Sequence, residues 1–147
     1  MRSKIVLLLT FALVSGCARR ERFFEVDGRQ VTVGNYSRSE VEALRISLSK
    51  VQLPAPEHTF ENMLPRPVKE TPVEFVDSAL DQEKKGRIGG SIVEYWLNRD
   101  FVLRVATAYY SKDQPDREEW AVILAKDDRD HFERPIYPGA GVMHIAK

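Results

Sequence analysis

Any metal or acid–base chemistry would have to come from His58, His131 and His144, the three histidines of this 147-residue chain. They fall in three segments of poor periodicity. A zinc site needs about three or four convergent ligands. With a single cysteine in the chain, such a site would have to recruit carboxylates such as Glu57, Glu61, Asp128 or Asp130. His58 and Glu61 are spaced i, i+3 and would face each other only on a helix, which the prolines around them oppose. Asp127-Asp128-Arg129-Asp130 lacks the central glycine and terminal glutamate of a calcium loop and reads as a solvated turn. Gly89-Gly90-Ser91 precedes a strand rather than opening a helix, so it offers no helix N-terminus to a phosphate. No G-x-S-x-G occurs, and no serine is paired with a histidine in a triad-like pattern. The expectation is therefore no catalytic residue, no metal and no cofactor.

The elements that would position a site form an α+β pattern. Phe23-Phe24-Glu25-Val26 and Gln30-Val31-Thr32-Val33 flank Asp27-Gly28, a dipeptide suited to the positive φ angles of a tight turn, and predict a short N-terminal hairpin. Ser37-Arg38-Ser39-Glu40 has the spacing of a capping box, and Val41, Leu44, Leu48 and Val51 recur at helical spacing. A helix over 38–50 follows. A strand competes, because Leu44, Ile46 and Leu48 also alternate with polar residues.

Pro54, Pro56, Pro65, Pro67 and Pro72 mark a proline-rich surface connection over 54–72, with Phe60, Met63 and Leu64 free to wrap over the core. Thr71-Pro72-Val73-Glu74 reads as a second capping box with proline at the first helical position. Phe75, Val76, Ala79 and Leu80 would line one stripe of a second helix over 72–85, with Lys84 and Lys85 in its last turn before Gly86.

Beyond Gly89-Gly90 the period falls to two. Ile92 to Leu97, Phe101 to Tyr110 and Glu119 to Ala125 predict three strands in an antiparallel meander. One face would carry Val93, Tyr95, Leu97, Phe101, Leu103 and Val105, joined by Trp120, Val122 and Leu124, and would pack on the two helices. The other would carry Ile92, Glu94, Trp96, Val102 and Arg104, joined by Ala121 and Ile123. That mixed face is expected to be partly exposed, or covered by the hairpin or by a partner. Trp96 and Arg104 on it are the candidate partner-binding residues, and replacing either with alanine should abolish capture without unfolding. The charged tail from Lys126, and residues 135–147 after it, should hold little regular structure.

Composition narrows the functional class. Twenty-two basic residues balance 22 acidic ones, which argues against a nucleic-acid binder, whose footprint is a basic face. The core, 23–134, has the size of one domain.

The N-terminus carries the most specific signal. Arg2 and Lys4 precede an apolar run from Ile5 to Val14, too short to span a hydrocarbon core of about 30 Å, which takes about 20 residues. Val14-Ser15-Gly16-Cys17 then resembles the lipobox of bacterial lipoproteins. The resemblance implies that residues 1–16 are a removed signal peptide and that Cys17 is acylated and becomes the first residue. Ala18 after the cysteine implies sorting to the periplasmic face of the outer membrane, where the cell has one. Residues 17–22 would be a tether of roughly 17 Å at full extension, with Arg19, Arg20 and Arg22 beside the headgroups or in solvent.

Two functional classes remain. One is a lipid-anchored, non-enzymatic binding or assembly module with an envelope protein as partner. Ser39-Glu40-Val41-Glu42-Ala43-Leu44, followed much later by the segment Tyr95 to Val105, is similar to the small outer-membrane lipoproteins of the SmpA/OmlA type. That resemblance implies a two-helix, three-strand fold and a part in outer-membrane protein assembly, although the proline-rich stretch departs from the pattern. The other class is a small envelope enzyme or ligand-binding lipoprotein, its site built from the proline-rich connection and the C-terminal tail.

Overall fold

A computed structural model describes residues 22–77, 87–110 and 113–131. Residues 1–21, with the expected signal peptide and Cys17, as well as Lys84, Lys85, His144 and the tail over 135–147, lie outside the described residues.

β1 (Arg22–Val26) and β2 (Arg29–Val33) form the expected antiparallel hairpin, with Phe24 opposite Val31 and Val26 opposite Arg29. Its turn residues take positive φ, 51° at Asp27 and 72° at Gly28, as a two-residue primed turn requires. Alternation points Phe24, Val26, Val31 and Val33 inward and leaves Phe23 exposed. Gly34 follows, where its N–H donates to Trp96 O at 2.8 Å. A Cβ there would sit 2.7 Å from Leu97 O, so only glycine allows the hairpin base to approach so closely.

α1 (Arg38–Leu48) settles the helix-or-strand alternative. Both halves of the capping box are made. Glu40 N–H donates to Ser37 Oγ at 3.3 Å, and Ser37 N–H donates to Glu40 Oε2 at 2.8 Å. Val41, Leu44 and Leu48 are buried on one stripe, and Ile46, which a strand would have turned inward with them, is exposed.

The proline-rich connection contains β3 (Ala55–Pro56) and the single turn α2 (Thr59–Asn62). Phe60 is fully buried, and Met63 and Leu64 pack against the same core.

The predicted second helix over 72–85 is not what forms at its start. Glu70–Asp77 is β4, an edge strand antiparallel to β5 (Arg87–Trp96), with the register shifting between Pro72 and Glu74. A proline is tolerated at an edge strand or a bulge, where a ladder donor is dispensable. The local capping pattern therefore yields to sheet pairing. Residues 78–86 lie outside the described residues.

β6 (Phe101–Tyr110) and β7 (Arg117–Ala125) complete the predicted meander, and α3 (Lys126–Arg129) is one helical turn where the charged tail was expected to be irregular. The sheet has five antiparallel strands in the order β3-β7-β6-β5-β4, rather than three. Among the described residues only α1 has seven or more helical residues. The architecture is thus α+β, but it differs from the two-helix, three-strand outline implied by the SmpA/OmlA resemblance.

One face assignment is also corrected. Val105 stands opposite Ala121 and Leu103 opposite Ile123, so Ala121 and Ile123, not Trp120, Val122 and Leu124, share the α1 face. β7 is apolar on both faces, so its period cannot choose between them, and a one-residue slip exchanges the two sets. The sheet is consequently buried on both sides. One core layer joins Tyr95, Leu97, Leu103, Val105, Ala121 and Ile123 to Val41, Leu44, Leu48, Phe60 and Val68. The other joins Ile92, Trp96, Val102, Trp120, Val122 and Leu124 to Val26, Val31 and Val33 of the hairpin.

Candidate functional site

Pleating carries Glu94 onto the hairpin face of β5, between Ile92 and Trp96. Its register partner on β6 is Arg104. A charged pair in an otherwise apolar layer must be neutralised within it, because isolated buried charge is expensive. Arg104 donates to Glu94 Oε1 from Nε at 3.0 Å and from Nη2 at 2.6 Å. Arg129 of α3 donates to the same oxygen from Nε at 2.8 Å. Arg129 Nη1 reaches Asp27 Oδ2 in the hairpin turn at 2.7 Å and Asp130 Oδ1 at 3.0 Å.

The cluster is dry. Glu94 is 1 % exposed, and the side chains of Arg104 and Arg129 are 12 % and 11 % exposed. Burial opposes the charge on Arg129, but its hydrogen bonds to Glu94 and Asp27 outweigh that effect and the guanidinium pKa is raised. Glu94 Oε2 and Trp96 Nε1 are buried without a hydrogen-bond partner among the described residues. The Trp96 ring stands edge-on to Phe24 at 4.8 Å, with the Arg129 guanidinium 5.7 Å from its centroid. A cleft of about 190 Å³ opens beside the cluster beneath the hairpin turn, and Asp27, Arg29, Thr71, Glu94, Trp96 and Arg129 are among the residues that line it.

Of the two candidate partner-binding residues, Trp96 is fully buried beneath the hairpin and Arg104 is committed to Glu94. Of the alternatives left open for this mixed face, the structure has the hairpin covering it. Sequence reasoning missed Arg129 and the role of Glu94. The cross-strand pairing of Glu94 with Arg104 could have been found by folding the two strands back about Asn98-Arg99-Asp100, where Asn98 Oδ1 accepts from Asp100 N and Phe101 N. Nothing in the charged run Lys126 to Asp130 marks Arg129 as the residue that turns inward.

The two described histidines, His58 and His131, do not converge. His58, the residue preceding α2, has φ 64° and places Nδ1 3.1 Å from Glu61 Oε2. One helical turn thus suffices to bring these two together, contrary to the expectation that the prolines would prevent it. Glu57 Oε1 lies 3.7 Å from His58 Nε2. All three are exposed, and His131 is exposed on another segment. Among the described residues no three or more histidine, cysteine or carboxylate side chains are grouped to hold a metal. Glu118 is buried, and its Oε2 accepts from Phe60 N–H at 3.0 Å at the start of α2. Burial raises its pKa, and the backbone hydrogen bonds from Phe60, His58 and Thr59 offset only part of that rise.

A second polar junction fixes the connection to α1. Arg66 donates to both carboxylate oxygens of Glu40, at 2.7 and 3.1 Å, and lies 4.4 Å from the Tyr36 ring centroid. This arginine fork holds the Glu40 carboxyl at about 2, well below its usual range, with help from Ser37.

The arrangement is that of a small α+β domain in which a hairpin closes over a charged cluster on a sheet face. Comparison of the chain with protein-family models, with curated sequences and with solved structures returns no match in any of the three. Among the described residues, no helix is long and apolar enough to cross a membrane.

Proposed function

We propose that this chain is an envelope lipoprotein, anchored through acylated Cys17 on the periplasmic face of an outer membrane, whose domain is a non-enzymatic binding module. The carrying observation is the order of cationic residues, short apolar run and Val14-Ser15-Gly16-Cys17, followed by a folded strand that already begins at Arg22. So short a tether keeps the hairpin within roughly 17 Å of the acylated residue. One acyl chain holds a protein only marginally and two or more hold it stably, so a multiply acylated Cys17 gives lasting attachment. The hairpin is the first described element after Cys17, and it is also the cover of the Glu94 cleft. A ligand or partner engaged there is presented next to the membrane.

Intact-mass measurement on protein from its native host, together with membrane fractionation, tests the anchor. The expected chain begins at Cys17 and carries fatty acid, and Cys17→Ser is found in the soluble fraction. A chain that still begins at Met1, or a Cys17 without fatty acid, overturns the reading.

A further inference from the structure

The geometry points to the cleft beneath the hairpin turn as a binding site for an uncharged carboxamide, one that donates to Glu94 Oε2 and accepts from Trp96 Nε1. The inference deepens the binding-module reading and rests on it for its biological setting, but not for its chemistry.

The distribution of hydrogen bonds on Glu94 is lopsided. Three guanidinium N–H groups converge on Oε1, and Oε2 has none although Glu94 is 1 % exposed. An arginine–carboxylate pair serving only to hold strands together has the option of the fork, with one N–H on each oxygen, as Arg66 and Glu40 show elsewhere in this chain. Trp96 lies two residues on, along the same strand and on the same face, and its indole N–H is likewise buried and unpaired. Both residues line the cleft.

One acceptor and one donor therefore belong to neighbouring residues of one strand face, whose Cα atoms are roughly 6.5 Å apart along the strand. The charges around them balance, since Glu94, Asp27 and Asp130 face Arg104, Arg129 and Arg29. An added anion would meet the carboxylates and an added cation the guanidinium groups, so a neutral ligand is favoured. A carboxamide carries a donor and an acceptor on separate atoms of one planar group, which suits two separated partners better than a single hydroxyl oxygen. The apolar rim of Val26, Val31, Pro72 and Val73 would take the aliphatic part.

Entry requires the hairpin turn to lift, because neither polar atom has accessible surface while it is closed. The turn is held at its tip by the ion pair between Asp27, whose side chain is 61 % exposed, and Arg129. Its base stays fixed by the main-chain bonds Gly34 N to Trp96 O and Tyr36 N to Leu97 O.

The test follows the Trp96 indole N–H resonance of the full 15N-labelled chain in detergent micelles, titrated with propionamide, propionate or propanol. The expected result is a saturable shift with propionamide, at a half-saturating concentration at least tenfold below that of the other two. Thr71→Phe, at the half-buried rim position opposite Glu94, should block it while the thermal transition of the chain is retained. No saturable shift, equal response to propionate or propanol, or an undiminished shift in Thr71→Phe overturns the assignment. Acetyl-Gly-Gln-Gly-N-methylamide in place of propionamide separates the sources. Tighter binding of the peptide identifies a glutamine or asparagine side chain of a peptide, and equal binding identifies a free small amide. Because the titration does not depend on acylation, its failure is distinguishable from failure of the anchor, which the mass measurement reads.

Discussion

Arg129 Nε donates to Glu94 Oε1 at 2.8 Å, although the two residues stand 35 positions apart. Through this bond the turn after the last strand is tied to the centre of the sheet, and Arg129 continues to Asp27 at the tip of the N-terminal hairpin. One guanidinium thereby joins the first described element to the last described one across a layer that is otherwise apolar.

Breaking that junction should be costly in a graded way. Removing one partner of a buried ion pair leaves an uncompensated charge, at about 3–5 kcal/mol, whereas exposed pairs contribute only about 0–1 kcal/mol. Glu94→Gln, which leaves the buried Arg104 and Arg129 guanidinium groups without their shared carboxylate, should therefore lower stability several times more than Asp27→Asn, which removes only the exposed end of the network. Urea unfolding of the two variants checks the order. Equal losses would show that the cluster does not act as a buried unit.

Trp96→Ala should not behave as a surface change. The ring is fully buried between hairpin and sheet, and truncating a core tryptophan costs about 3–5 kcal/mol. Thermal melts should show a marked fall in the transition temperature. A near-neutral result would mean that the hairpin does not cover this face in solution.

Acid should loosen the junction between α1 and the proline-rich connection. Glu40 has its folded-state pKa lowered from the ordinary 4.5 to about 2, chiefly by the hydrogen bond from Arg66. For a lowered carboxylate, the stabilisation is complete above the unfolded value and is lost as pH falls through the window from 4.5 to about 2. The transition temperature of the parent chain should decline across that window. Glu40→Gln should be less stable at neutral pH and should show a shallower decline, and parallel curves would exclude the assignment.

Glu118 is expected to behave in the opposite sense. Its pKa is raised by burial, so its contribution is least unfavourable in acid and stability erodes as pH rises from the unfolded carboxylate value through the folded one. Glu118→Gln keeps an acceptor for Phe60 N–H and removes the buried charge. Glu118→Ala leaves that donor unpaired, a loss of about 1–3 kcal/mol. The glutamine variant should be the more stable of the two at neutral pH by denaturant unfolding, and the reverse order would discount the hydrogen bond.

Local chemistry was legible wherever one short segment contains its own answer. Asp27-Gly28 specifies a primed turn because few other residues accept positive φ, and Ser37 with Glu40 specifies where α1 starts because the two satisfy each other's backbone donors. The same reasoning misplaced Thr71-Pro72-Val73-Glu74. Its capping pattern is equally local, but over Glu70–Asp77 the chain pairs with β5 instead of nucleating the expected helix over 72–85, and Pro72 is harmless at an edge bulge.

The sequence by itself determined the hairpin, the capping box ahead of α1, the three meander strands and the lipobox-like N-terminus, each written within a span of residues that are neighbours in the chain. Only the tertiary structure decided which face of β7 meets α1, that the hairpin covers the other face, and that Arg129 reaches Glu94. β7 is apolar on both sides, so its alternation leaves the register open. A charged residue shows its burial only once its partners, drawn from distant segments, have been folded around it.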